Sequence, residues 1–156
     1  SKQQRRALRK NEDVTVRFAE PEFTPTNPAP HRRHLAAQHG KHDTGENEAE
    51  FRTSMYGRVV DTVEATYWLG DLLLGASLLD VCRRSVSAVY HYYDPDHRDR
   101  RLGVFSVLQE IEWTQRIGVP HYYLGFWIEG AKTMHYKANY RPHELLRDGE
   151  WSAAGD

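Results

Sequence analysis

Apolar and polar residues alternate along this chain with two different periods, which predicts a mixture of strands and helices. A period of two residues, typical of half-buried strands, occurs in three segments, and a fourth segment is a long apolar run. The four predicted strands are 13–19, 62–68, 72–81 and 85–93. The pair Gly70-Asp71 predicts a tight hairpin between the second and third strands. In the fourth strand, the period places four side chains on one face: Val86, Ala88, Tyr90 and Tyr92.

A period of three to four residues predicts helices elsewhere in the chain. It is clearest at 103–118, where the apolar stripe consists of Val104, Val107, Leu108 and Ile111. Shorter helices are predicted at 2–10, 30–38, 48–56 and 132–139. After the clearest helix we expect a strand over 121–128 and then a terminal strand or extended tail over 142–151. This order predicts the α/β class.

Composition favours one domain with a packed core. The chain has 156 residues and a mass of 18.2 kDa, with 39% apolar and 12% aromatic residues, so we expect a single domain over 1–156. It has one cysteine, Cys82, and no apolar run that approaches the roughly 18 residues of a membrane span, so we expect a cytoplasmic protein.

Basic residues are segregated although the formal net charge is only −1. One acid-free cluster lies at 2–10 and another at 131–141, which predicts a local anion-binding face; the alternative is a solvated helix face. The first cluster consists of Lys2, Arg5, Arg6, Arg9 and Lys10, and the second of Lys132, His135, Lys137 and Arg141. Four histidines, His31, His34, His39 and His42, lack the spacing of a zinc site, so no metal is expected.

The motifs with the most information lie between residues 86 and 146. Asp94-Pro95 follows an aromatic strand, Leu102-Gly103 opens a helix, and Tyr123-Leu124-Gly125 lies on the next strand. With the opening SKQQRRALRKN, this order resembles the C-terminal half of the aminoacyl-tRNA–protein transferase family. The segment IEGAKTMHYK also resembles the family's closing signature, with Ala131 where the family usually has Cys and Thr133 where a basic residue is common.

The resemblance implies the N-acyltransferase fold of the GNAT type, which is a mixed, mostly antiparallel sheet flanked by helices. In that fold the strands before and after the long helix, here 85–93 and 121–128, splay apart and hold the acyl donor. The family transfers leucine, which we favour, or arginine from aminoacyl-tRNA to proteins with N-terminal Asp or Glu, and so marks them for degradation. Family members carry a further N-terminal region, so this chain is expected to be part of a longer protein. Aminoacyl-tRNA is the expected co-substrate, without another cofactor.

The reaction requires an oriented amine and ester, a stabilised oxyanion and a proton acceptor. The expected catalytic residues are Tyr92, Asp94, Glu110, Tyr123 and Tyr136, with Glu110 or Asp94 as the proton acceptor. The expected substrate-binding residues are Arg101, Gly103, Trp127, Lys132 and Lys137. The cations of Arg101 and Lys137 are suited to an acidic acceptor residue. The Trp127 ring is suited to stacking on the terminal adenine of the tRNA. The expected tRNA phosphate contacts are Arg5, Arg6, Arg9 and Lys10. Packing is the alternative role for each tyrosine, and a turn for Asp94.

Two other functions remain open. An acetyl-CoA-dependent N-acetyltransferase on the same fold needs small residues at the start of the long helix, where backbone amides reach a pyrophosphate. Phe105 stands where the second small residue is required, and its ring is expected to crowd that pyrophosphate. The other alternative is a non-catalytic module that binds acidic N-termini or tRNA.

Overall fold

A computed structural model of the chain describes residues 1–24, 28–39, 48–57 and 60–153. The chain divides into two units, Lys2–Tyr123 and Leu124–Asp156, the second together with Ser1. The single domain expected over residues 1–156 stays a prediction, and the two units are described in turn.

The first unit is built on a five-stranded sheet. Its strands are β1 (Val14–Ala19), β2 (Thr62–Leu69), β3 (Leu72–Cys82), β4 (Ser85–Tyr93) and β5 (His121–Tyr123), in the spatial order β1-β2-β3-β4-β5. Neighbours are antiparallel from β1 to β4, and β5 is parallel to β4. The four strands predicted from the period of two are confirmed. The hairpin at Gly70-Asp71 is confirmed too, and Gly70 has the positive φ of 57° that this turn requires.

The helices of this unit cover both faces of the sheet. They are α1 (Lys2–Lys10), α2 (Pro28–His39), α3 (Glu48–Tyr56) and α4 (Leu102–Arg116), with a 3₁₀ segment at Pro95–Arg100 between β4 and α4. The predicted helices are confirmed, although α2 begins two residues earlier than expected and α4 ends at Arg116. The glycine, aspartate and asparagine residues between the predicted helices 30–38 and 48–56 indicate a connecting stretch over 40–47, which lies outside the described residues. Because α4 connects β4 to β5, the chain crosses over the sheet, as parallel strands require.

The core lies between the sheet and the helices α1 and α4. Ala7 of α1 and Phe105 of α4 are buried against one face of β2, β3 and β4. Phe18 of β1 stacks on Trp113 of α4, with ring centroids 4.8 Å apart. The core cluster consists of Ala7, Ala65, Tyr67, Leu74, Leu79, Val86, Leu102 and Phe105. Removal of this apolar area from water is the main favourable contribution to the stability of the unit.

A β-bulge in β4 reverses which side chains face this core. Leu78 pairs with Tyr90 but Leu79 pairs with Ala88, which leaves Val89 as an extra residue. As a result, Val86 and Ala88 pack on the core, whereas Tyr90 and Tyr92 contact His31 of α2. The prediction that Val86, Ala88, Tyr90 and Tyr92 share one face is therefore wrong, because a period of two does not continue through a bulge.

The strand predicted at 121–128 is also shorter than expected. β5 ends at Tyr123, and the backbone leaves the extended conformation at Gly125, which has a φ of 76°. The prediction of strand beyond Tyr123 is wrong, because the aromatic and apolar residues of 124–128 suit a strand by type while Gly125 turns the chain.

The second unit contains a short 3₁₀ helix and a β-hairpin. The 3₁₀ helix covers His135–Asn139, which is the second half of the helix predicted at 132–139; 132–134 form a turn. The hairpin consists of β6 (Glu144–Arg147) and β7 (Glu150–Ala153), joined by Asp148-Gly149. Both turn residues have positive φ, 51° and 84°, as a type I′ turn requires. The expected terminal strand or tail is thus a hairpin.

Candidate functional site

The strands β4 and β5 separate after three residue pairs. Pairing runs from Ser85 with His121 to Ser87 with Tyr123, whereas β4 continues to Tyr93. In the described part of the chain, residues 88–93 therefore have no strand partner on the side of β5. The predicted splayed strand pair is confirmed, and in the separated part of β4 the backbone N–H of Tyr93 donates to Nδ1 of His34 at 3.5 Å.

Glu110 of α4 is the centre of a buried hydrogen-bond network beside this strand pair. Its side chain is 2% exposed. The Tyr67 hydroxyl donates to Oε1 at 2.8 Å, and the Tyr122 hydroxyl of β5 donates to Oε2. Beyond Tyr67, the Ser77 hydroxyl lies 3.2 Å from the Tyr67 hydroxyl and 2.8 Å from Nδ1 of His91. The network thus links α4 to β2, β3, β4 and β5.

The donors in this network can be assigned because each hydroxyl has one hydrogen. Tyr67 uses its hydrogen on Glu110, so Tyr67 can only accept from Ser77. Ser77 in turn accepts from Nδ1–H of His91, which leaves Nε2 of the neutral imidazole with its lone pair. Nε2 is buried and has no hydrogen-bond partner within the described residues. Every bond in this arm of the network then points toward Glu110.

The surroundings keep the network in this protonation state. Burial, and then the nearby charge of Glu110, raise the pKa of Tyr67 well above its usual range. Burial, with a smaller contribution from His34, lowers the pKa of His91 to about 3. Tyr67 therefore stays a hydrogen-bond donor, and His91 stays uncharged near neutral pH.

Asp94 lies in the turn between β4 and the 3₁₀ segment, and both of its carboxylate oxygens are engaged. Oδ1 accepts from the backbone N–H of Asp96 at 3.1 Å, and Oδ2 accepts from Nη2 of Arg33 at 2.5 Å. Tyr92, two residues earlier, is 1% exposed and packs against His31. These contacts agree with the alternatives to a catalytic role, which are a turn for Asp94 and packing for Tyr92.

The start of α4 carries Arg101 and Gly103. Arg101 has a left-handed backbone with φ of 59° and ψ of 45°, an unfavourable conformation for a residue with a Cβ. An added Cβ at Gly103 would meet open space. Phe105 is 4% exposed and its ring packs edge-on against Tyr67, 6.1 Å between centroids. The expectation that Phe105 crowds a pyrophosphate is wrong, because its ring turns into the core.

The basic helix α1 presents three exposed arginines, Arg5, Arg6 and Arg9. The fourth expected phosphate contact, Lys10, donates instead to the backbone carbonyl of Asp99 at 2.7 Å and to its carboxylate at 3.3 Å. The end of α1 is thus fixed to the 3₁₀ segment, and the exposed cations of the helix are Lys2 and the three arginines.

In the second unit, Lys137 holds a loop. Its ammonium donates to the carbonyls of Leu124 at 2.7 Å and Phe126 at 2.8 Å, and burial lowers its pKa. Two of its three donors are therefore used. Tyr136 is partly exposed and contacts Tyr140 edge-on, and Lys132 is exposed. Trp127 lines a cavity within this unit.

The structure brings together some expected residues and adds others. Glu110 has a central position in the network, and the partly exposed Tyr123 is next to Tyr122 on β5. Sequence reasoning missed Tyr67, Ser77, His91 and Tyr122, because their bonds join residues that are far apart in the chain. The only local signal was Ser77, a polar residue inside the apolar run of β3.

The comparison with known proteins decides the family. The model of the family "Arginine-tRNA-protein transferase, C terminus" matches residues 30–147. The chain belongs to this family. An aspartate/glutamate leucyltransferase of Stenotrophomonas maltophilia (strain R551-3) is 38% identical over 95% of this chain, and one of Pseudomonas fluorescens is 34% identical over 97%. The chain spans 62% and 65% of these two relatives.

Solved structures confirm the GNAT-type fold of this family member. The ribosomal-protein-S18-alanine N-acetyltransferase of Escherichia coli has a TM-score of 0.58, with 14% identity, 84% of this chain and 79% of that chain covered. An acetyltransferase of Streptococcus agalactiae also has a TM-score of 0.58, with 13% identity, 85% of this chain and 86% of that chain covered. At these identities the likeness concerns the fold alone.

Within the ranges that the structure describes, no three side chains of His, Cys, Asp or Glu gather as metal ligands would. Over the same ranges, no helix has the length and apolar content needed to cross a membrane.

Proposed function

We propose that this chain transfers an amino acid, leucine in preference to arginine, from aminoacyl-tRNA to the N-terminus of proteins that begin with Asp or Glu. One observation carries the proposal: relatives that are 34–38% identical over nearly the whole chain are aspartate/glutamate leucyltransferases. The family role in protein degradation and a cytoplasmic location follow as parts of the same proposal.

The substrates fit the geometry of the strand pair. The aminoacyl ester would lie where β4 and β5 separate, and hydrogen-bond donors placed there would stabilise the oxyanion. The α-amine of the acceptor attacks the ester carbonyl, a carbon–nitrogen bond forms, and the bond to the ribose oxygen breaks. The amine loses one proton, and the departing ribose oxygen gains one. Orientation of the two substrates provides much of the rate enhancement, because the ester is already activated.

Glu110 is the proposed proton acceptor for the amine, and Tyr122 is the proposed relay to it; the same proton then returns through Tyr122 to the departing ribose oxygen. Both carboxylate oxygens of Glu110 accept tyrosine hydroxyls, and Glu110 is buried, so a proton must reach it through one of those hydroxyls. Tyr122 is partly exposed on β5. It can take the proton of the amine as it passes its own to Glu110. Tyr67, Ser77 and His91 act as positioning residues that hold the carboxylate.

The other expected residues have supporting roles in this proposal. Asp94 and Arg33 fix the turn before α4, and Tyr92 anchors β4 to α2. Arg101 and Gly103 at the start of α4 contact the donor, as does the partly exposed Tyr123 on β5; Tyr136, in the second unit, stays a proposed catalytic residue. The arginines of α1 attract tRNA phosphates, and the exposed Lys132 stays a proposed substrate contact.

Acetyl transfer from acetyl-CoA is the second candidate, because one observation favours it. The Phe105 ring is buried and the surroundings of Gly103 are open, so the start of α4 is clear for a pyrophosphate.

The test of the proposed function is a transfer assay with radiolabelled leucyl-tRNA or arginyl-tRNA and peptides that begin with Asp, Glu, Lys or Ala. We expect label from leucyl-tRNA in the Asp and Glu peptides alone. A full-length relative from Stenotrophomonas maltophilia is the positive control. Absence of transfer by this chain, with transfer by the relative, would reject the activity for this chain.

A further inference from the structure

The second unit contains a cavity that no part of the proposed chemistry uses. Its volume is about 220 Å³, and its lining comes from the segment that follows β5, the 3₁₀ helix, the residues after that helix and the hairpin. The lining includes Trp127, Arg141, His143, Leu145, Arg147 and Ser152. A water molecule occupies about 30 Å³ of liquid, so the cavity has room for several waters or for one amino-acid side chain.

The charges around this cavity have one sign. Two arginines and a histidine line it, and no Asp or Glu does so in the described part of the chain. The guanidinium group of Arg147 has no hydrogen-bond or ion-pair partner among the described residues. Its cross-strand neighbour Glu150 is outside the lining. An arginine without a partner is suited to a planar anion, because its guanidinium can donate two parallel hydrogen bonds.

A second observation points to the same kind of ligand. The indole Nε1–H of Trp127 is buried and has no acceptor within the described ranges. A buried donor without an acceptor is unfavourable, and an acceptor bound in the cavity would remove that penalty. His143 donates from Nδ1 to the carbonyl of Tyr140 at 2.9 Å, which fixes its ring at the cavity.

The size and the apolar part of the lining favour a carboxylate side chain over a nucleotide. Leu145, Ala138 and Ala153 offer contacts to methylene groups. The cavity is smaller than the roughly 300 Å³ at which small-molecule sites usually begin. We propose that it binds the side-chain carboxylate of the N-terminal Asp or Glu of an acceptor protein, with Arg147 as the main cation and Trp127 as a neutral donor.

This inference rests on the proposed function, because it assigns the residues that read the acceptor. It also departs from the sequence-based expectation that Arg101 and Lys137 bind this carboxylate. Two donors of Lys137 are used on backbone carbonyls, whereas Arg147 is exposed on the hairpin.

The test observes the indole N–H signals of the protein by NMR while peptides are added. The signal of Trp127 is identified by its loss in Trp127→Phe. The peptides begin with Asp, Glu, Asn or Gln and are otherwise identical, and an RNA mimic of the tRNA 3′ end is added separately. Arg147→Gln removes the cation, and Arg147→Lys keeps the charge but cannot donate two parallel hydrogen bonds. Arg83→Gln, in the exposed β3–β4 turn, is the matched control.

We expect the Asp and Glu peptides to shift the Trp127 signal and the Asn and Gln peptides to leave it in place. Arg147→Gln should weaken binding about 10- to 100-fold, which is the usual loss when a charge-assisted hydrogen bond is removed. The affinity of Arg147→Lys for these peptides should lie between that of Arg147→Gln and that of the unmodified chain. The affinity of Arg83→Gln should equal that of the unmodified chain. Equal binding of the Asn peptide, no effect of Arg147→Gln, or a response to the RNA mimic alone would overturn the inference.

A transfer assay separates failure of this site from failure of the proposed function. If the chain transfers leucine to the Asp peptide but Arg147→Gln leaves the KM for that peptide unchanged, the site assignment alone is rejected. If the Asp peptide shifts Trp127 and no aminoacyl-tRNA serves as donor, the transfer function alone is rejected.

Discussion

The hydroxyl of Tyr67 donates a hydrogen bond of 2.8 Å to Glu110, and this contact joins the middle of the sheet to the long helix inside the core. Neither side chain is accessible to water, so each depends on the other to satisfy its polar atoms. A buried carboxylate that accepts two tyrosine hydroxyls is a stable structural element. It is also placed to take a proton through either hydroxyl.

Loss of one partner should destabilise the fold. Tyr67→Phe removes a donor from a buried carboxylate, and we expect the free energy of unfolding to fall by about 1–3 kcal/mol. Glu110→Gln should have an effect of similar size. In urea unfolding followed by circular dichroism, the double variant should lose less than the two single losses combined. A loss in the double variant equal to the sum of the two single losses would show that Tyr67 and Glu110 do not interact.

Two buried histidines should make the first unit sensitive to mild acid. Burial lowers the pKa of His91 to about 3 and that of His31 to about 4, whereas the usual value in an unfolded chain is 6.5. The folded state therefore binds fewer protons than the unfolded state between these values. The contribution of each histidine to the free energy of unfolding is fully present above pH 6.5. It falls as the pH decreases toward 4, by up to about 1.4 kcal/mol per pH unit for each histidine.

Urea midpoints measured from pH 7.5 to pH 4.5 check this pH dependence. His91→Gln should flatten the decrease, because glutamine can still bond Ser77 but takes up no proton. His121→Gln, at an exposed histidine, is the matched control and should keep the unmodified slope. An unchanged slope in His91→Gln would show that His91 has no such shift.

Lys137→Met should loosen the segment that follows β5 without unfolding the chain. The ammonium of Lys137 binds the carbonyls of Leu124 and Phe126, and Phe126 is 88% exposed, so its side chain does not anchor this segment. We expect amide hydrogen exchange at 124–128 to become about 10-fold faster or more. Lys137→Arg, which keeps the donors, should restore much of the protection. Exchange that is unaffected by Lys137→Met would contradict the assignment.

Arg101→Gly should separate stability from activity. Glycine removes the left-handed strain at this position but increases the freedom of the unfolded chain, so we expect unfolding free energy to change by less than about 1 kcal/mol. Transfer activity should fall at least 10-fold, because the proposed donor contact is lost. Full activity in the stable variant would show that the side chain has no role in donor binding.

Replacement of the three exposed arginines of α1 should weaken tRNA binding. Each phosphate contact contributes about 0.7–0.9 to the slope of log affinity against log salt. Changing Arg5, Arg6 and Arg9 together to Gln should therefore lower that slope by about 2–3. Lys10→Gln should change it less, because Lys10 is bonded to Asp99. A salt slope that is the same in the triple variant would place the tRNA elsewhere.

Local patterns in the sequence predicted most elements of the fold, because they depend on neighbouring residues. The apolar stripe of α4 and the alternation in β1 and β2 gave the correct elements. The bulge at Val89 was not predictable in this way, since it depends on how β3 and β4 pair. The short β5 was missed because its end is set by the turn at Gly125.

The candidate site was less predictable than the fold. Glu110 could be selected as a carboxylate on the long helix, but its partners Tyr67 and Tyr122 come from separate strands. The direction of the Phe105 ring depends on the rotation of α4 against the sheet. The expectation that this ring crowds a pyrophosphate was wrong for that reason. The pair Asp148-Gly149 did carry a hairpin signal in the sequence, and it could have predicted that Arg147 lies beside the turn.

The most direct test of the central claim compares three donors on one acceptor. The chain is incubated with a peptide that begins with Asp and with radiolabelled leucyl-tRNA, arginyl-tRNA or acetyl-CoA in separate reactions. Glu110→Gln and the exposed-site variant Arg83→Gln are measured beside it. We predict label from leucyl-tRNA, a strong loss in Glu110→Gln and none in Arg83→Gln. Label from acetyl-CoA alone, or from no donor while a full-length relative is active, would contradict the claim.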